Sequence, residues 1–234
     1  MSDNVQAELE EELPPVQIKQ WVSIPGGSIA LRSGAGVLSN FGTELRTAVG
    51  RPHRCAFLVS NQADEDLAEL LRRDLTTIGF LVTRVVISLA NHVANKWCGG
   101  VSLATVPLDL AAVIVSSITP RALDTDAEHQ RLVTTKPCAR FCFADLEVID
   151  LCDDNAKVAQ VCMVATAMSD NEAEFGRIWD RADNLSSGVA DIVAEQLAES
   201  TKTRGRLSDS SAIAIQQSVP YGWVFVEALR PLIP

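Results

Sequence analysis

The stretch from Arg54 to Ser88 constrains this chain most. RCAFLVS is a short, continuously apolar run, the pattern of a strand buried on both faces. ADEDLAELLRRDLTTIG follows, with helical spacing, acids at its start to suit the positive end of the dipole, and Gly79 at its C-terminal cap. FLVTRVVIS then gives a second apolar strand. Two strands joined through a helix of this length are parallel neighbours with a right-handed crossover. The preceding residues extend the unit. VQIKQWVSI and SIALR read as strands joined by a hairpin turn at Pro25-Gly26-Gly27, and GVLSNFGTELRTAV reads as an amphipathic helix with Val37, Leu38, Phe41, Leu45 and Val49 on one side.

Further on, ANHVANKW reads as a short helix, VSLATVP as a strand and LDLAAVIVSSI as a helix. RLVTT and ARFCFAD read as strands, with Asp145 placed to cap the turn that follows. Beyond residue 146 the pattern is helical: DDNAKVAQVCMVATAM, NEAEFGRIWDRAD, SGVADIVAEQLAE and DSSAIAIQQSV all carry 3.6-type spacing. The expected fold is therefore an α/β N-terminal domain with a parallel, Rossmann-like sheet, followed by an all-α C-terminal domain. The expected divisions are an acidic tail over 1–15, the α/β domain over 16–149 and the helical domain over 150–234. Residues 145–199 hold thirteen acids against three bases, so the helical part carries most of the net charge of −10.

That charge, with no dense Lys/Arg cluster and 5% aromatics, argues against nucleic acid as a partner. No apolar run reaches the length of a membrane span, and the acidic N-terminus lacks the features of a secretory signal. The expectation is a cytoplasmic protein with reduced thiols at Cys55, Cys98, Cys138, Cys142, Cys152 and Cys162. Cys138 and Cys142 form a C-x3-C pair with His129 nearby, but no fourth ligand stands out. His53, His92 and His129 are scattered, and the acidic pairs Asp124/Asp126 and Asp153/Asp154 read as solvated turns. No metal site is expected from spacing.

Two places offer chemistry. Gly34 and Gly36 lie in Ser33-Gly-Ala-Gly between a strand and a helix, where backbone N–H groups meet phosphates; with Ser39 at the third position the match to G-x-G-x-x-G is incomplete, and a plain tight turn is the leading alternative. Ser116, Ser117 and Arg121 form a polar cluster after the LDLAAVIVSSI helix, and an arginine there grips phosphate or carboxylate bidentately or simply sits on the surface. No nucleophile elbow of the G-x-S-x-G type is present.

In collinear order, four segments resemble the 3-dehydroquinate synthase (sugar phosphate cyclase) family. LRSGAGVLSNFGTEL is similar to its opening strand, G-x-G-x-L turn and helix. RCAFLVSNQADEDLAELLRRDLTTIGFLVTRVVIS resembles its next strand–helix–strand unit. GGVSLATVPLDLAAVIVSSITPRA is similar to the stretch ending in D-S-S-V-G-G-K-T-G, and FADLEVIDLCDDNAKVAQV to the passage opening the helical domain. The resemblance implies NAD in the α/β domain, with Gly34 and Gly36 toward the cofactor, and zinc or cobalt in the helical domain. Ser116, Ser117 and Arg121 would meet the substrate. It implies a lyase that oxidises a hydroxyl transiently, eliminates phosphate, reduces again and closes a carbocycle by aldol addition, as in aromatic amino acid biosynthesis.

The departures are specific. The family's G-G-G-x-x-x-D pyrophosphate loop has no counterpart where Ser88 and Leu89 join the Ile87 strand to ANHVANKW. Val115 stands at the Asp of the D-S-S motif, Thr119 and Pro120 at its glycines, and Arg121 at its Lys. The metal-binding Glu falls near Val161 or Cys162, and no His follows His129. These losses predict a catalytically impaired homologue, a pseudoenzyme serving as an accessory or non-catalytic subunit, as a homodimer or beside a full-length cyclase. The alternative is an active NAD-dependent cyclase or phosphate-eliminating lyase on a phosphorylated sugar acid.

Overall fold

The computed structural model describes residues 15–50, 54–59, 64–85, 94, 96, 101–116, 118, 121–123, 133–135 and 139–219. Strands β1 (Gln17–Ile24) and β2 (Gly27–Gly34) form the expected hairpin, paired antiparallel from Gln17↔Gly34 to Ile24↔Gly27. Gly26 takes φ +88° in its turn, a conformation that side chains resist. A 3₁₀ turn over Val37–Asn40 leads into α1 (Phe41–Val49). Val37, Leu38, Phe41 and Leu45 are buried as the spacing predicts, while Val49 is exposed at the helix end.

β3 (Arg54–Leu58) and β4 (Leu81–Val85) flank α2 (Glu65–Thr77) and pair in parallel. The Asp64 carboxylate accepts from the N–H groups of Asp66 and Leu67, which fixes the start of α2. β5 (Leu103–Thr105), β6 (Arg121–Leu123), β7 (Val133–Thr135) and β8 (Ala139–Asp145) complete the strands.

The main sheet has the order β1-β2-β8-β5, antiparallel at β1/β2 and parallel across β2/β8 and β8/β5. It is therefore a mixed sheet with a parallel interior. The hairpin is what makes it mixed, because two strands joined by a tight turn can only run antiparallel. β3/β4 and β6/β7 form separate two-stranded pairs among the described residues.

The helices follow: α3 (Asp154–Asp170), α4 (Glu172–Asp180), α5 (Ala182–Ser186), α6 (Ala190–Ser208) and α7 (Ile213–Ser218). Asp153 caps α3 by accepting from the Ala156 N–H at 2.6 Å, and Asn171 caps α4 through the Glu174 N–H at 3.0 Å. LDLAAVIVSSI is helical in part, and its Ala112–Ser116 portion is wound as a π-helix. Most of ANHVANKW lies outside the described residues, as does the 1–15 tail up to Pro14.

The interior strands β2 and β8 are largely buried on both faces, as parallel strands require, whereas the edge strand β1 exposes one face. Alternation along β8 divides the two cores. Cys142 and Ala144 join Val22, Ile24, Ile29, Leu31, Leu110, Val113, Ile114 and the helix residues Ala159, Met163, Val193 and Leu197. Phe143 turns the other way, against Leu38, Phe41, Leu45, Leu71 and Leu75, with Phe41 edge-on to its ring at 5.0 Å. The larger core thus mixes residues from both sides of position 150. Its tightest joint is Gly205 of α6, where an added Cβ would sit 2.1 Å from the Ser23 carbonyl oxygen and 2.7 Å from Val22 Cγ1. Beside it, Gln20 Nε2 donates to the Ala198 carbonyl at 2.7 Å and to Thr201 Oγ1 at 3.2 Å.

Candidate functional site

Parallel strands place ligands at their carboxyl ends. Here β2, β8 and β5 run the same way, so Gly34–Gly36, Asp145–Glu147 and Thr105–Asp109 gather at one edge of the sheet. The register sets Gly34 opposite Asp145. Gly34 has φ +130°, and a Cβ there would lie 2.1 Å from the Val16 carbonyl oxygen, so only glycine fits where the chain enters β1.

Asp145 organises this edge. Its Oδ1 accepts from the Gly36 N–H at 2.9 Å and the Glu147 N–H at 3.0 Å, and its Oδ2 accepts from the Leu38 N–H at 2.9 Å. The residue is 3% exposed. The sequence suggested a cap, and a cap it is, but for the turn after β2 as well as for its own. The amides that would receive a phosphate therefore already hold a carboxylate. Glu147 adds a second one, with its Oε1 3.6 Å from the position a Gly36 Cβ would take. On β2, the buried Ser33 Oγ has no hydrogen-bond partner among the described residues. Asp109 Oδ1 accepts from the Ala112 N–H at 2.7 Å and so starts the helical turn at Leu110 and Ala111.

The second sequence cluster is not brought to this turn by any described contact. Ser116 ends the π-helical segment, and Ser117 lies outside the described residues. Arg121 is the first residue of β6, paired with Thr135 of β7 in a two-stranded antiparallel ribbon; it does not sit on a helix end.

The metal position inferred from the resemblance falls on α3. Val161 points to solvent, while Cys162 is buried. Burial raises the Cys162 thiol above its ordinary pKa, partly offset by the Arg204 guanidinium nearby. Arg204, 1% exposed on α6, donates to Thr166 Oγ1 at 2.9 Å, and burial lowers its own pKa. A cation in this place would meet a guanidinium and a protonated thiol, which do not fit a zinc or cobalt ion. Among the described residues no group of three or more His, Cys, Asp or Glu side chains is arranged to hold a metal. The NAD phosphates fare no better at the Gly34–Gly36 turn, where two carboxylates stand in their way.

Sequence reasoning missed Glu147 and Arg204. Glu147 had a signal in the D-x-E spacing at the end of an apolar strand. Arg204 had none, because α6 buries Gln196, Ser200, Thr201 and Thr203 as well, and such a stripe reads as a solvent face. A cavity of about 230 Å³ lies at the start of α3, lined by Leu151, Cys152, Asp153, Lys157, Gln160 and Ser186 among others.

No family model matches the sequence, and no curated protein matches it. Solved structures do. 2-Deoxy-scyllo-inosose synthase superposes with a TM-score of 0.56 at 11% identity, covering 85% of this chain and 69% of that one. The same enzyme, complexed with carbaglucose-6-phosphate, NAD+ and Co2+, gives 0.57 at 11% identity over 91% and 69%. 2-Epi-5-epi-valiolone synthase from Streptomyces hygroscopicus, with NAD+ and Zn2+ bound, gives 0.60 at 11% identity over 81% and 63%. Among the described residues no helix is long and apolar enough to cross a membrane. The chain has the dehydroquinate-synthase-like fold of the sugar phosphate cyclases.

Proposed function

We propose that this chain is a sugar phosphate cyclase homologue that has given up catalysis and acts as a non-catalytic or accessory subunit. One observation carries the reading. The buried Asp145 carboxylate occupies the amides of the turn after β2, the place where the Gly34–Gly36 segment would have met the dinucleotide. The environment of Cys162, next to Arg204, supports it from the metal side. A chain of this kind keeps the scaffold and uses its surfaces, in the cytoplasm beside an intact cyclase.

The alternative is an active NAD-dependent cyclase or phosphate-eliminating lyase. It is favoured by the neighbours, whose structures hold NAD+ with Co2+ or Zn2+. In that reading Ser116, Ser117 and Arg121 hold a phosphorylated sugar acid, and Gly34 and Gly36 face the cofactor.

Isothermal titration of the purified chain with NAD+ up to millimolar concentration, together with its metal content, separates the two. The accessory reading expects no binding heat and no stoichiometric metal. Saturable NAD+ binding with one zinc or cobalt per chain refutes it. Co-purification with a full-length cyclase from mixed expression tests the accessory role directly, and its absence counts against that role.

A further inference from the structure

Helix α4 and the short α5 present one exposed stripe. Helical hydrogen bonding runs on through the residue between them: the Arg181 N–H donates to the Arg177 carbonyl at 3.2 Å, and the Leu185 N–H to the Arg181 carbonyl at 2.9 Å. Glu172, Gly176, Trp179 and Asp183 therefore follow one another along a single face, with Asp180 beside them. Ile178 turns the other way, into the larger core. Trp179 is 72% exposed, yet its ring is held. Phe175 packs on the larger core, and its ring centroid lies 6.2 Å from that of the indole. The Gly176 side is open, with nothing within 4 Å of the position a Cβ would take.

Charge on this face has one sign. Glu172, Asp180 and Asp183 are exposed and have no ion pair among the described residues. The two arginines nearby already hold other acids: Arg177 pairs with Glu174 and Glu199, and Arg181 with Glu195 and Glu199. A scattered exposed tryptophan needs no occupant. A tryptophan set among unpaired carboxylates differs, because the indole face and the carboxylates attract the same thing, a cation.

We propose that the Trp179 face docks an arginine-rich segment of another protein. A guanidinium lies on the indole in the opening over Gly176 and pairs with Asp180 or Asp183, since it is planar, weakly hydrated and able to stack and to pair bidentately at once. Charge complementarity selects this occupant. A second copy would set these acids against their like, and nucleic acid or an anionic bilayer would be repelled in the same way. The surface does not rest on the loss of catalysis, so the chain alone tests it.

The probe is a capped hexa-arginine peptide, titrated into the full chain at low salt. Binding is read by calorimetry and by the indole N–H signal of Trp179 in nitrogen-15-labelled protein. Saturable binding that moves this signal is expected, while a hexaglutamate peptide of the same length does not bind. W179A, which leaves the net charge unchanged, lowers the affinity at least threefold, with far-UV circular dichroism showing the fold retained. D180N with D183N does the same with the indole in place. No binding of the arginine peptide at millimolar concentration overturns the proposal. So does binding indifferent to W179A, which is net-charge attraction alone, or binding of both peptides.

Discussion

Gly205 sets two known effects against each other, and the structure says which wins. It lies inside α6, where replacing glycine by alanine gains about 1 kcal/mol of helix propensity. Propensity alone therefore predicts that G205A stabilises. The new methyl, however, would sit 2.1 Å from the Ser23 carbonyl oxygen and 2.7 Å from Val22 Cγ1, where ordinary contact begins near 3.4 Å. The Ser23 carbonyl is β1 backbone and cannot swing aside, so α6 must lift off β1 by more than an ångström. Overpacking of this kind costs roughly 1–3 kcal/mol, and sometimes more. The lift also strains the Gln20 bonds to Ala198 and Thr201, each worth about 1 kcal/mol. Subtracting the propensity gain leaves a net loss of about 2 kcal/mol. For a chain of this length that lowers Tm by roughly 4–8 °C. Gly176 is the control. It lies inside α4 with nothing within 4 Å of an added Cβ, so G176A should gain up to about 1 kcal/mol. Thermal and urea unfolding of both variants measure the difference. If G205A proves as stable as the parent chain, or moves the same way as G176A, the close approach of α6 to β1 is not real.

Other outcomes follow from named contacts. D145N replaces one accepting oxygen by a donor facing an N–H, leaving Leu38 or Gly36 and Glu147 unpaired; it should cost about 2 kcal/mol in urea unfolding. Burial opposes the charge of Glu44, but Lys19 and Arg32 outweigh it and hold its carboxyl below the usual value. A lowered native pKa adds stability that is present at neutral pH and lost as pH falls through that pKa. E44Q should therefore destabilise at pH 7 and converge on the parent chain as the pH falls below the ordinary carboxylate range, read from unfolding midpoints across pH. The exposed Cys152 should react with a thiol reagent in the native state, so C152S removes one fast equivalent, whereas Cys162, buried and raised in pKa, should react only on unfolding.

The hairpin, α1, the β3–α2–β4 unit and the four longer helical segments were legible because each rests on local information: a turn residue, a cap or a period of two or 3.6. The hairpin's consequence for the sheet was harder to see. Strand order is set by pairing between residues more than a hundred positions apart, such as Ala30 with Phe141, which periodicity does not encode. The sequence placed Asp145 as a cap but could not show that its second oxygen reaches back to Leu38. Arg204 was invisible for the opposite reason: a buried cation on a polar stripe looks like surface until α3 is laid against α6.

The same distinction bears on function. Residue types at the right spacing, Gly34 and Gly36, suggested a phosphate cradle. Whether backbone N–H groups are available to a ligand depends on what else the fold brings to them. A dinucleotide would have to displace Asp145, leaving a buried carboxylate without its three amide partners while placing phosphate charge beside it and Glu147. An unsatisfied buried charge costs several kcal/mol, more than two or three amide–phosphate bonds return. The turn after β2 is therefore a closed structural joint, and a cofactor in this chain would need its phosphates held elsewhere.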